Sequence, residues 1–223
     1  MKSMQKSFIR KEIQIQDIQK CTLRNEWSFG NDILYDMCRK DPEHRNTDVI
    51  LGKIWIIGRA YAAAIERRKN SNITDTGDNY FYKIVAPQML YAGEELDKRI
   101  LKLKEFDSIN LDNLKEIIET HYFLTNVFSD ISGLNKRSLA SKYLHFHAPN
   151  VFYIYDSRAV QGARKYIMSD KTLVSKFEKY GDKDYINLVV KLFTFQEYVY
   201  NQHGLLLTPR SIDSFMLFNG VIR

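Results

Sequence analysis

Apolar positions recur at intervals of three and four residues through most of the chain, the spacing that lays one stripe along an α-helix. The clearest run is 47–69, where Ile50, Ile54, Ile57, Tyr61, Ala64 and Ile65 share a face. It predicts one long helix whose last turn carries Arg67, Arg68 and Lys69, cations suited to the negative end of the helix dipole. Residues 31–40 predict a helix stopped by Asp41-Pro42. Residues 8–22 fit either a short helix or an N-terminal strand, and the polar stretch 70–79 predicts a loop. Further helices are expected at 79–90 (broken at Pro87), 93–105, 111–130, 136–146, directly after Asp156, near 171–180, 183–202 and 209–218. Between them, His147 to Tyr155 reads as an extended or looped connection. With no internal repeat and no linker, the expected fold is one mainly α domain over 1–223. A helical N-terminal part (1–110) would pack on a C-terminal part (111–223), as two subdomains around a cleft.

Composition narrows the functional classes. The 223 residues carry 33 Lys and Arg against 27 Asp and Glu, a formal net charge of +6, which suits a phosphate-bearing partner. Cys21 and Cys38 lack the CxxC spacing and read as reduced thiols of a cytoplasmic protein. The first residues have no apolar core of a secretory signal, and no apolar run approaches the roughly 20 residues of a membrane span. His145 and His147 lie two residues apart and share no helix face, with no cysteine nearby, so no metal site is expected, and no cofactor.

The candidate chemistry lies between Ile131 and Arg158 (ISGLNKRSLASKYLHFHAPNVFYIYDSR). A helix ends at Ser132-Gly133-Leu134-Asn135 and another begins at once. Gly133 takes a positive φ without strain, and Asn135 is among the few other residues that tolerate the left-handed region. Such a turn aims backbone N–H groups and the second helix's positive end at one phosphate, with Lys136 and Arg137 adding charge. Ser138 opens the second helix, Lys142 follows one turn along the same face, and Asp156 with Arg158 begins the next. Taken singly these features have plainer readings. Asp156 is a good helix N-cap, and Gly133-Leu134-Asn135 an ordinary helix–helix turn.

Taken together, the segment resembles the helix-hairpin-helix DNA glycosylases. The run from Ser138 to Ala159 also looks like a small bacterial group of 8-oxoguanine-DNA-glycosylase-like proteins, members of which occur in anti-phage islands. In that superfamily a hairpin grips the DNA backbone, and an Asp opening a later helix is the essential carboxylate. The resemblance assigns that role to Asp156 and puts Ser138 where bifunctional members carry a nucleophilic Lys. Two departures stand out. Asn135 replaces the second hairpin glycine, and Ser138 cannot form a Schiff base, which needs an amine. Lys136 and Lys142 are the neighbouring amines. The resemblance therefore implies a monofunctional glycosylase that binds double-stranded DNA and removes a damaged or modified base, in DNA repair or anti-phage defence. Ser132, Gly133, Asn135, Lys136, Arg137, Lys142 and Arg158 would contact DNA. A flipped base needs a pocket with stacking rings, for which Trp27, Tyr61, Phe146 and Tyr155 are candidates. The competing expectations are a non-catalytic nucleic-acid-binding module and a helical adaptor for protein partners. Thr208-Pro209-Arg210-Ser211-Ile212-Asp213 reads as a structural helix start.

Overall fold

The computed structural model describes residues 8–67 and 79–220. Among the described residues the protein is mainly helical and contains no strand, only an isolated antiparallel bridge between Ile9 and Ile167. The helices are α1 (Ile15–Thr22), α2 (Ser28–Lys40), α3 (Thr47–Ala60), α4 (Ala86–Leu103), α5 (Leu114–Ser132) and α6 (Arg137–His147). They continue with α7 (Ser157–Tyr166), α8 (Lys171–Phe177), α9 (Lys183–His203) and α10 (Pro209–Gly220). No helix among the described residues is long and apolar enough to cross a membrane.

Helix α6 is the hub. It packs on α2, α3 and α5, and from Leu139 to His147 every residue is buried. Most of its polar side chains therefore meet other protein groups, while Ser138 and Lys142 line a pocket. The chain's start crosses to the C-terminal helices: α1 packs on α10, and α10 packs closely on α7. That last contact requires Gly162, where an added Cβ would meet the Met216 carbonyl oxygen at 2.2 Å. The ambiguous stretch 8–22 resolves into both of its alternatives, a bridge at Ile9 followed by α1.

Two expectations are corrected. The helix expected over 47–69 ends at Ala60. Ala62 takes a positive φ of 52°, Ala63 N–H donates to the Gly58 carbonyl, and the chain doubles back so that Ala64 lies against Gly58. Ile65 is buried by this return rather than by helical continuation. The expected cations Arg68 and Lys69, and the loop 70–78, lie outside the described residues. Nor does Pro87 break a helix. A π-helical turn, Phe81–Val85, runs directly into α4, with Pro87 in its first turn, where a missing N–H costs no hydrogen bond.

Candidate functional site

The turn after α5 matches its sequence at Gly133 but not at Asn135, which takes no left-handed conformation and acts through its side chain instead. Gly133 closes the helix in the left-handed conformation (φ 70°), its N–H donating to the Ser129 carbonyl at 2.7 Å. Ser132 is buried and donates to the Phe128 carbonyl. The Asn135 side chain accepts from Arg137 N–H through Oδ1 and donates to Asp182 through Nδ2. The two adjoining cations are held by the protein itself. Lys136 Nζ donates to the Ala64 and Arg67 carbonyls at 3.2 and 2.7 Å, which ties the returning strand of chain to the turn. Arg137 lies 2.8 Å from both Asp182 and Asp184 and over the Tyr155 ring. Beneath it, buried His121 donates from Nε2 to the Arg137 carbonyl and stacks on Tyr185. Residues 135–139 and 62–64 together line a hollow of about 360 Å³.

One helical turn further, α6 presents Ser138 and Lys142 to a larger pocket of about 550 Å³. Trp27, Tyr61, Tyr155, Asp156 and Arg158 also line it, so seven of the thirteen expected site residues meet here. Trp27 stands at the mouth, more than half exposed. Phe146 does not line this pocket. It is buried behind Tyr61 and Tyr35 and faces a second cavity of about 500 Å³. The hairpin residues Ser132, Gly133, Asn135, Lys136 and Arg137 do not line the larger pocket.

Within the pocket Asp156 caps α7, its Oδ1 accepting from Arg158 N–H at 2.9 Å. Its Oδ2 lies 3.3 Å from Lys142 Nζ, which also donates to Ser138 Oγ at 2.8 Å. Burial alone would raise the Asp156 carboxyl. The Lys142 ammonium and the Arg158 N–H outweigh burial and hold it below its ordinary range, so it is a carboxylate at neutral pH. Lys142 is almost wholly buried, and desolvation lowers its ammonium pKa despite Asp156 and Asp213 nearby.

Arg210 and Asp213, read in the sequence as part of a structural helix start, complete the pocket from α10. Asp213 is 4% exposed, and burial lifts its carboxyl to about 6 although Arg210 and Lys142 pull the other way. Its Oδ2 lies 3.3 Å from Arg210 Nη1. Its Oδ1 and the Arg210 Nη2 are buried without hydrogen-bond partners, a situation that costs about 1–3 kcal/mol per group and is rare in a settled core. Behind them runs a directed chain. The Phe152 carbonyl can only accept, so His145 Nδ1 donates to it at 2.8 Å. Desolvation keeps the ring neutral, so Nε2 accepts from Tyr35 OH at 2.7 Å, and the Tyr35 oxygen accepts from Arg210 Nε. Tyr61 donates its hydroxyl to Asn31 across the same wall. In the fold α10 packs on α1 and α7, and Arg210 reaches Tyr35 of α2 and the Phe146 ring of α6. Among the described residues no group of histidine, cysteine and carboxylate side chains has the grouping to hold a metal ion.

No family model, no curated protein and no solved structure matches this chain.

Proposed function

We propose that the protein is a DNA N-glycosylase, with the pocket receiving a flipped nucleotide and the Gly133 hairpin gripping the backbone beside it. The observation that carries this reading is Asp156, an ionised carboxylate at the wall of a pocket in the size range of small-molecule sites. Breaking an N-glycosidic bond leaves positive charge on the sugar, which a carboxylate stabilises. The bonding pair goes to the base, water adds to the sugar carbon, and Asp156 takes the proton that the water loses. The Tyr61 and Tyr155 rings and the Trp27 indole supply faces on which a base stacks. Because the Lys136 and Arg137 side chains and the Gly133, Leu134 and Arg137 N–H groups are all engaged internally, the grip falls to the positive end of α6.

The test is release of free base, and of abasic sites, from duplexes carrying one modified base each. Asp156→Asn is expected to lower single-turnover release at least 100-fold while duplex affinity stays within about threefold, in line with the loss of one stabilising group. A fully active Asp156→Asn protein sinks the mechanism.

A second reading rests on Lys142. Its amine lies 3.3 Å from Asp156 in the same pocket, with its pKa lowered by burial. It supplies the nucleophile that Ser138 lacks, which would give Schiff-base lyase chemistry after base loss.

A further inference from the structure

The pocket holds two carboxyls in opposite electrostatic settings, and only Asp156 has a role in the reading above. Asp213 is nine-tenths buried, lines the same pocket, and keeps one carboxyl oxygen without a partner while the other meets Arg210. Each neighbour constrains it. Arg210 on its own helix and Lys142 on α6 favour its anion, whereas Asp156 and burial disfavour it, and Arg158 on α7 adds a weaker cationic field. Tyr35 on α2 and Tyr61, just past the end of α3, touch or approach the Arg210 side of the pair. The group that ionises easily is therefore already matched by an ammonium, and the group that ionises with difficulty has a free oxygen. Where environments separate two acids in one site, the roles of anion and proton donor separate with them.

We propose that Asp213 is the general acid of the site, donating its proton to the departing base while Asp156 stands as the anion facing the sugar. This rests on the glycosylase reading. As the sugar–base bond breaks, its electron pair moves onto the base. The Asp213 O–H bond breaks and an N–H bond forms on the base, so the base leaves neutral. Water adds to the sugar carbon and gives its proton to Asp156. Asp213 is then a carboxylate against Arg210, and both acids return to their starting states by exchange with solvent. The net change is addition of one water across the N-glycosidic bond. Arg210 thus has a purpose in the cycle: it is a fixed counter-charge for the anion that donation leaves behind.

The mechanism separates bases by whether they need a proton. A neutral base such as hypoxanthine, uracil or 8-oxoguanine leaves badly as an anion and needs Asp213. A 7-methylguanine already carries the charge that protonation would add, and needs no donor.

The experiment is single-turnover release from duplexes carrying each of these bases, from pH 4.5 to 8.5, with the full-length protein. For neutral bases the wild-type rate is expected to fall tenfold per pH unit above about 6 and to level off below it, because Asp156 stays ionised throughout this range. Asp213→Asn is expected to slow neutral bases at least 100-fold more than 7-methylguanine, with the alkaline limb gone. Asp213→Glu should restore part of both. The wild-type profile alone decides the matter if Asn at 213 fails to fold. A neutral-base rate that stays flat from pH 5.5 to 8 overturns the assignment, as does an Asp213→Asn protein that loses neutral and cationic bases equally. In either case the glycosylase reading survives. If the wild type releases no base from any duplex, that reading falls and this one falls with it.

Discussion

Lys142 shows how one residue's setting alters what it can do. An exposed lysine is an ammonium at neutral pH, and only a small fraction is nucleophilic. Here burial withdraws the solvent that would stabilise the charge, while Asp156 and Asp213 return part of it, so the balance still favours the amine more than in water. If the amine acts, it adds to the aldehyde carbon of the open-chain abasic sugar, its proton passes through Asp156 to the new hydroxyl, and the C–O bond breaks so that water leaves and an imine remains. Sodium borohydride then delivers hydride to that imine and fixes a protein–DNA adduct. The expected result is a trapped adduct with wild type and none with Lys142→Gln. Absence of an adduct with wild type, alongside base release, leaves hydrolysis with water as the route. Ser138 does not compete for this role. Its hydroxyl accepts from Lys142 at 2.8 Å, which holds the amine in place.

At the level of elements, the join between α7 and α10 matters most, because Asp156 caps α7 and α10 carries Arg210 and Asp213. Gly162 lets the two backbones touch, and a methyl group there would collide with backbone rather than with a side chain that could swing away. Gly162→Ala is expected to destabilise the protein by about 3 kcal/mol or more, at or beyond the upper end for core overpacking. It should also depress base release further than the stability loss explains. Urea unfolding monitored by circular dichroism checks the first part, and a change below about 1 kcal/mol would show the helices free to part. Periodicity in the sequence marks α5, α6 and α9 well because their apolar residues keep step with the helical repeat. It misleads at Tyr61, since Ala64 and Ile65 stay in step although the backbone has already turned at Ala62. It misleads again at Pro87, which is tolerated inside continuous helical density because it falls in a first turn. The turn at Gly133 and the helix start capped by Asp156 were legible in the sequence. The place of Arg210 and Asp213 in the pocket was not, because Thr208 to Asp213 reads as a structural helix start until the neighbours that bury it are known.

For the molecule as a whole, buried imidazoles set the response to acid. His121, His145 and His147 are fully enclosed, and desolvation first of all lowers their pKa values, His121 to about 4. A histidine depressed in the fold gives stability that is present above its unfolded value near 6.5 and is lost as pH falls below it. The shift of His121 alone corresponds to roughly 3 kcal/mol once the loss is complete. Asp213 has the opposite sign: raised to about 6, it favours the fold increasingly as pH falls from above 6 towards the ordinary carboxylate range. That gain is also roughly 3 kcal/mol, so it offsets one histidine and leaves two uncompensated. Unfolding free energy from urea titrations is therefore expected to drop steadily between pH 7 and 4.5. A flat or rising curve would mean that these imidazoles are hydrated.

The connector from Ala148 to Asp156 has a consequence beyond joining two helices. Its Phe152 carbonyl anchors, through His145 and Tyr35, the guanidinium that faces one acid, and four residues later it ends in the other acid. The two carboxyls are thus geared to a single lever. An ångström of travel in that short span would re-aim both at once, so on the glycosylase reading a wrongly seated nucleotide that displaces it would disarm both ends of the proposed reaction together.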